Sequence, residues 1–163
     1  MKNIGLKTIT NNYQSYTKGD QRNIIQIDHQ DSSLKILPLI CYEIIYSGKL
    51  FQNSDFDLII NISEDGWFGD SIGPQQHFSH TIFRAIEEGK NIIRSTNNGI
   101  SAYIDSNGVI ISKLESTKKG VIEINNYKKF NETLFSKFGN KIFFYILLFY
   151  VVTIFLIKRW ENK

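Results

Sequence analysis

An uncharged apolar run near the C-terminus restricts the fold of this chain more than any other feature. It covers sixteen residues, from Ile142 to Ile157 (IFFYILLFYVVTIFLI), with Lys141 before it and Lys158, Arg159 and Trp160 after it. At a rise of about 1.5 Å per residue, a helix over 141–160 spans about 30 Å, the thickness of the hydrocarbon core of a bilayer. Basic and aromatic flanks are typical of helix ends at the two membrane interfaces. We therefore predict a transmembrane helix over residues 141–160.

A buried core helix is the alternative interpretation of this run. Such a helix normally keeps a polar stripe, whereas here only Thr153 and the hydroxyls of Tyr145 and Tyr150 interrupt the apolar surface. The composition therefore favours a membrane span. Lysine or arginine lies on both sides of the run, so the positive-inside rule does not assign its orientation.

The rest of the chain is long enough for one hydrophobic core. The 163 residues are 42% hydrophobic, which predicts a single globular unit. The 19 basic and 16 acidic side chains are spread along the sequence, without the concentrated basic face that nucleic-acid binding requires. We therefore expect no nucleic-acid partner. Met1–Asp20 lacks the apolar core of a signal peptide, so we expect no export signal there.

Hydrophobic periodicity changes type along this globular part. Gln75–Lys90 carries Phe78, Ile82 and Ile86 at steps of four, which predicts an amphipathic helix that stops near Gly89. Short apolar or alternating runs predict strands, with Asn-Gly turns between the later ones. The predicted strands cover residues 23–28, 34–40, 57–62, 91–96, 100–105, 109–114 and 121–125. This order predicts an α/β layered domain whose sheet is covered on one side by helices.

The single cysteine, Cys41, directly follows the strand predicted over 34–40, in which Pro38 predicts an edge or a bulge. Ligand-binding crevices of α/β sheets open at the carboxyl ends of strands, where the thiol of a cysteine can act as a nucleophile. A buried, inert cysteine is the alternative, because free cysteines are among the most buried residue types. One cysteine forms no intrachain disulfide, and no Cys/His set in the sequence suggests a structural metal.

Three sequence blocks decide between these interpretations when they are taken together. They are Leu39–Glu43 (LICYE), Asn61–Phe78 (NISEDGWFGDSIGPQQHF) and Arg94–Gly99 (RSTNNG). Their order and spacing resemble the nitrilase-type domain of the apolipoprotein N-acyltransferase family. The resemblance implies a partial nitrilase-like α-β-β-α sandwich over residues 1–136, corresponding to the C-terminal part of that domain, then a transmembrane helix over 141–160 and a tail over 161–163.

The resemblance also implies an activity. The family transfers a fatty acyl group from a phospholipid, through a cysteine thioester, to the α-amino group of the N-terminal diacylglyceryl-cysteine of bacterial lipoproteins. The family's nucleophile matches Cys41, and the next two residues, also important in the family, match Tyr42 and Glu43. The implied partners are a phospholipid donor, a lipoprotein acceptor and the inner membrane, with the domain on the periplasmic side. No cofactor and no metal are implied.

The two residues after Cys41 have chemistry that suits this reaction. Tyr42 is expected to contribute its backbone N–H to an oxyanion hole. Glu43 is expected to orient a neighbouring group or the incoming amine, and a surface ion pair is the alternative. Because a thioester forms readily from a thiolate and acylates amines, one difficult exchange becomes two easier steps.

The glycine-bounded loop of the second block carries two adjacent aromatic residues. Trp67 and Phe68 are expected to form an apolar wall for an acyl chain or to dip toward lipid, and capping of the core is the alternative. Asp65 and Gly66 are expected to set the turn. The family usually has asparagine where this chain has Glu64, which adds a negative charge beside the predicted site.

Polar residues on the following helix and strand are expected to support the site without reacting. Arg94, Asn97 and Asn98 are predicted to hold a strand end and its turn by hydrogen bonds. His77 and His80 lie at i and i+3 on the predicted helix, but no third ligand accompanies them. We interpret both histidines as helix-surface or packing residues.

One part of the family's catalytic machinery has no counterpart in this sequence. The resemblance implies a Glu-Lys-Cys triad whose lysine lies further before the cysteine than the 40 residues that precede Cys41 here. Three hypotheses follow: part of an acyltransferase that needs a separate or longer chain, a non-catalytic remnant, or a small-amide carbon-nitrogen hydrolase. We expect little activity from this chain alone, since acyl transfer needs a base and an oxyanion partner. The lysines before the nucleophile that match nothing in the family pattern are Lys2, Lys7, Lys18 and Lys35.

Overall fold

The computed structural model describes residues 22–29, 32–48, 50, 55–125 and 132–162. Six strands form one sheet and lie side by side in chain order. They are β1 (Ile25–His29), β2 (Ser32–Ile40), β3 (Leu58–Glu64), β4 (Asn91–Asn97), β5 (Ser101–Ile104) and β6 (Ile110–Leu114). The helices are α1 (Gly73–Glu88), α2 (Leu134–Phe138) and α3 (Lys141–Glu161), with short 3-10 helices at Cys41–Ile45 and Gly66–Phe68.

The middle of the sheet is parallel and its margins are antiparallel. Strands β2, β3 and β4 run in parallel, and β1, β5 and β6 pair antiparallel with their neighbours. The register aligns Leu37, Ile59, Ile92 and Ile104 in one row across four strands, and all four side chains are fully buried. This row explains why the strands read as apolar runs, because each contributes a side chain to the same core.

Helix α1 covers this face of the sheet and connects β3 to the parallel strand β4. Of the predicted stripe, Phe78 lies in the core and Ile82 packs against it, but Ile86 is 47% exposed and Ala85 is buried in its place. The helix begins earlier than the sequence predicts, at Gly73, because Pro74 suits the first turn, where its missing N–H costs nothing. Gly89 ends the helix in the left-handed conformation (φ +64°) and donates its N–H to the Ala85 carbonyl.

The opposite face of the sheet is apolar and partly open among the described residues. Ile25 and Ile27 on β1 are each 51% exposed, Ile62 on β3 is 61% exposed, and Ile40 at the end of β2 is 70% exposed. A sheet packed on both faces would bury these side chains. This face is therefore open at β1 and at the carboxyl ends of β2 and β3, whereas Leu58, further back along the same face of β3, is buried.

The strand predictions are confirmed for the six strands of the sheet, whose bounds differ from the predicted ones by at most two residues. The prediction of a seventh strand over 121–125 is wrong, because these residues have no regular secondary structure. A strand needs a partner for its backbone groups, and local composition does not supply one. Pro38 lies two residues beyond Ile36, the last β2 residue paired with β1, so its missing N–H falls where β2 borders only β3 among the described residues.

The C-terminal part consists of a short helix followed by a long apolar one. The Thr133 hydroxyl caps α2 by accepting a hydrogen bond from the Ser136 backbone N–H at 3.0 Å. Helix α3 has 21 residues with a mean hydropathy of 2.1, and its apolar segment is entirely unburied. By length and composition it is suited to cross a membrane, and its exposure is inconsistent with a buried core helix.

Candidate active site

Cys41 lies where β2 ends and a 3-10 helix begins. Its backbone has φ +49°, a left-handed conformation that non-glycine residues adopt at a cost of about 1 kcal/mol or more. The Asn61 side-chain amide donates hydrogen bonds to the carbonyls of Leu39 and Cys41, both at 3.2 Å. Asn61 thus holds the two sides of the bend together. The bend leaves Cys41 partly exposed at the end of the strand.

The sulfur of Cys41 lies beside a buried hydroxyl. Ser63 Oγ is 3.6 Å from Cys41 Sγ and 3.1 Å from Asp65 Oδ1. Asn61, Ser63 and Asp65 alternate along β3 and the residue after it, so all three lie on the face that α1 covers. The end of β3 therefore supplies one contact to the backbone of Cys41 and one to its sulfur.

Behind Ser63 lies a buried ionic cluster formed by Asp65, His77 and Arg94, each at most 2% exposed. Arg94 Nη2 donates to both carboxylate oxygens of Asp65, at 3.1 and 2.8 Å. His77 Nδ1 lies 2.8 Å from Asp65 Oδ1, and a proton on this nitrogen completes a hydrogen bond to the carboxylate. Three elements, β3, β4 and α1, thus meet at one carboxylate.

Arg94 also connects this cluster to the backbone bend. Its Nη1 donates to Asn61 Oδ1 and lies 3.4 Å from Thr81 Oγ1, while its Nε donates to the Ile100 carbonyl at 3.3 Å. Burial lowers the pKa of Arg94, and the negative charge of Asp65 and its hydrogen bonds act in the opposite direction. Arg94 carries a compensated positive charge, and its hydrogen bonds orient Asp65 and Asn61.

Three aromatic rings, those of Tyr42, Phe68 and the cluster residue His77, lie against one another. The rings of Tyr42 and His77 lie 5.2 Å apart between centroids, those of Phe68 and His77 5.8 Å, and those of Tyr42 and Phe68 6.4 Å. Tyr42 is half exposed, so it forms the solvent side of this group. The group brings the residue after the cysteine into proximity with the glycine-bounded loop.

Trp67 and Glu43 lie outside this aromatic group. Trp67 is 82% exposed, which is inconsistent with a role in capping the core. Glu43 accepts the Ile40 backbone N–H at 2.7 Å and forms an ion pair with Arg22 at 2.9 Å, the alternative considered for this residue. The pair braces the start of the 3-10 helix that carries Cys41.

The turn between β4 and β5 is connected to the loop of Trp67 by one carboxylate. Glu64 accepts hydrogen bonds from the side-chain amides of Asn97 and Asn98 and from the Gly66 backbone N–H, the last at 2.6 Å. These hydrogen bonds lower the pKa of Glu64, and the one from the Gly66 backbone has the largest effect. Asp65 N–H also donates to the Asn97 carbonyl at 3.0 Å. Asn97 and Asn98 thus hydrogen-bond at a strand end, as expected for them.

Residues 8–125 match the family model of the carbon-nitrogen hydrolases. The chain belongs to the carbon-nitrogen hydrolase family. Its mixed α/β sheet with helices is a nitrilase-like fold. The family assignment covers the end of β2, the end of β3 and the β4–β5 turn, and therefore all of the cluster around Cys41.

Curated relatives of this member of the family are named apolipoprotein N-acyltransferase. The protein of Rickettsia bellii is 39% identical over 158 residues, which is 95% of this chain and 31% of the relative. The protein of Rickettsia prowazekii is 40% identical, and the match covers 32% of its length. The protein of Photobacterium profundum is 35% identical, and the match covers 29% of its length. The chain thus spans about a third of the length of these relatives.

A solved structure with a related fold is that of a CN-hydrolase superfamily protein from Xanthomonas campestris. Its sequence is 18% identical to this chain, and the TM-score is 0.46. The match covers 60% of this chain and 42% of the Xanthomonas campestris chain. An amidase from Nesterenkonia sp. AN1 also has a TM-score of 0.46, with 16% identity. Because both scores lie below 0.5, the fold assignment depends on the family match and not on these structures.

Several residues of the site were not identified from sequence. Asn61 lies in the strand predicted over 57–62 and Ser63 directly after it, and their spacing of two is the signal that places both on one face of β3. His77 is a packing residue, as interpreted, but it also completes the ionic cluster, and its Nε2 is buried without a hydrogen-bond partner among the described residues. Within the same described ranges, no group of three His, Cys, Asp or Glu side chains is placed to hold a metal ion.

Proposed function

We propose that this chain supplies the nucleophile of an apolipoprotein N-acyltransferase, with Cys41 as the residue that carries the acyl group. The observation that supports this most is the position of Cys41 at a strained bend after β2, with its sulfur beside Ser63 and a buried ionic cluster behind it. Strain at such a position is characteristic of functional sites. The names of the curated relatives support the same assignment.

The proposed reaction has two transfers that balance. In the first, the Cys41 thiolate attacks the ester carbonyl carbon of a phospholipid; the S–C bond forms, the ester C–O bond breaks, and the lysophospholipid alkoxide leaves and takes up a proton. In the second, the α-amino group of a lipoprotein's N-terminal diacylglyceryl-cysteine attacks the thioester carbonyl. The N–C bond forms, the S–C bond breaks, and the amine gives up a proton as the thiolate is restored.

Neighbouring residues have proposed supporting roles in these steps. The backbone N–H of Tyr42 follows the nucleophile directly and is proposed to donate to the oxyanion. Exposed Trp67 and half-buried Phe68 are proposed to line the path of the acyl chain, and the ion-paired Glu43 to fix the bend that carries the sulfur. Helix α3 is proposed to anchor the domain to the inner membrane, with the domain on its periplasmic side.

The glutamate and lysine of the family's triad are proposed to come from polypeptide beyond this chain, either a separate subunit or an upstream extension. The open apolar face with Ile25, Ile27, Ile40 and Ile62 supports the need for such a partner, because a stable sheet buries its apolar side chains. On its own, the chain is expected to acylate Cys41 at no detectable rate.

Thioester trapping tests this proposal. Membranes carrying the chain, with and without the co-expressed region of the Rickettsia bellii relative that it does not cover, are incubated with a phospholipid whose acyl chain bears an alkyne. We expect hydroxylamine-labile label on the chain only with the co-expressed region, and none on a Cys41→Ser variant. Label that persists in Cys41→Ser, or no label under either condition, contradicts the proposal.

A further inference from the structure

We propose that Ser63 is the positioning residue for the sulfur of Cys41, and that its hydroxyl turns from Asp65 to the sulfur when the thiolate forms. This inference deepens the proposed function and depends on it for the acyl-transfer step only. Its basis is the placement of one buried hydroxyl between two acceptors, Asp65 Oδ1 at 3.1 Å and Cys41 Sγ at 3.6 Å.

A serine hydroxyl has a single hydrogen and therefore donates to one of these acceptors at a time. While Cys41 is a thiol, the carboxylate of Asp65 is the stronger acceptor, and a lone pair of Ser63 Oγ faces the S–H group. In this state the Ser63 hydroxyl donates its hydrogen to the Asp65 carboxylate and can accept one from the Cys41 thiol.

The preference reverses when the thiol loses its proton, because the two negative groups are not equally well compensated. Asp65 keeps two contacts from Arg94 Nη2 and one from His77 Nδ1 after the serine turns away. Cys41 Sγ, by contrast, has one polar side-chain contact among the described residues, and it is Ser63 Oγ. A hydrogen bond to an ionised group is worth more than one to a neutral group, so the thiolate takes the hydrogen.

Acylation reverses the change once more. A thioester sulfur is neutral and a weak acceptor, so the hydroxyl returns to Asp65 when the S–C bond has formed. Ser63 thereby raises the fraction of Cys41 that is ionised and able to attack, and it leaves the thioester unassisted. Among the described residues, the charged or titratable groups that contact Ser63 are Cys41 and Asp65, and those that contact Asp65 in turn are Arg94 on β4 and His77 on α1.

The test measures alkylation of Cys41 by iodoacetamide as a function of pH, with the full chain in detergent and no acyl donor. Iodoacetamide reacts with the thiolate, so the rate follows the fraction of ionised sulfur. For Ser63→Ala we expect the midpoint of the profile to rise by about one pH unit, with roughly tenfold slower alkylation near neutral pH. Ser95→Ala, the same change on the exposed side of β4, is the control and should keep the original profile.

A matched pair of variants removes the effect of altered packing. Ser63→Thr and Ser63→Val add similar volume at this buried position but differ in the hydroxyl. We expect the threonine variant to alkylate at least fivefold faster than the valine variant near neutral pH, a figure of about the size of one hydrogen bond. Equal profiles for this pair, or a midpoint in Ser63→Ala that is unchanged or lower, would overturn the proposal. A thioester assay that fails while these shifts hold refutes the proposed function but not the role of Ser63.

Discussion

Replacing Arg94 by methionine tests whether the buried ionic cluster supports the site. Methionine keeps much of the length and volume of the arginine side chain but carries no charge and no donor. Among the described residues, the substitution leaves the Asp65 carboxylate, which is 1% exposed, with His77 and Ser63 as its remaining side-chain donors. It also removes the donor that faces Asn61 Oδ1.

The expected loss in the free energy of unfolding follows from the Asp65 charge that the substitution leaves without its main partner. Removing one partner of a buried ion pair typically costs about 3–5 kcal/mol, because the remaining charge stays buried without compensation. A domain of this size has a free energy of unfolding of about 5–15 kcal/mol, so Arg94→Met is expected to remove about a fifth of it or more. Arg84→Met is the control: Arg84 is also buried, but the side chain of its partner Glu87 is 22% exposed and can hydrate.

The assay is urea unfolding of the full chain in detergent, followed by circular dichroism, for Arg94→Met, Asp65→Leu and the double variant. Because buried ion pairs exchange for apolar groups at little cost, the double variant should be more stable than Arg94→Met alone, with a coupling of about 2 kcal/mol or more. A loss of less than about 1 kcal/mol in Arg94→Met, or losses that simply add in the double variant, would refute the reasoning.

Two further predictions concern carboxylates outside this cluster. Hydrogen bonds lower the pKa of folded Glu64, so its contribution to the loop of Trp67 is present above the ordinary value of 4.5 and lost as pH falls through the lower folded value. In a Trp160→Phe background, the fluorescence emission of Trp67 should therefore change on acidification. The Glu64→Gln variant should have the emission of the acidified protein already at neutral pH. If Glu64→Gln undergoes the same change on acidification as its parent, the prediction is contradicted. Burial raises the pKa of Glu88, so the free energy of unfolding should fall as pH rises from 4.5 through its raised folded value. Glu88→Gln should flatten that decline in urea unfolding measured across this range, and an unaltered slope shows that another group causes it.

The fold was predictable to the extent that each element depends on its own residues. The stripe of Phe78, Ile82 and Ile86 predicted α1, and alternating apolar runs predicted β1 to β6. The wrong strand over 121–125 has the same local composition but no partner strand among the described residues. Strand formation depends on pairing, and pairing is a property of the assembled sheet.

The candidate site was predictable only in part, for a related reason. The quoted blocks contained Cys41, Asp65 and Arg94, but nothing in their spacing states that Arg94 lies opposite Asn61 in the parallel register of β3 and β4. That register depends on the crossover through α1, which also carries His77 into the cluster. A buried polar cluster built from three elements therefore requires the tertiary structure, whereas a nucleophile at a strand end does not.

The hydrogen-bond network suggests why this part of the molecule can hold a nucleophile in place without the residues that complete the chemistry. One path from Arg94 runs through Asn61 to the backbone carbonyl of Cys41, and the other runs through Asp65 and Ser63 to its sulfur. Both paths run through residues of this chain alone and include no residue of the proposed partner. We therefore expect the bend and the alkylation profile of Cys41 to persist without the partner, and only the acylation rate to depend on it.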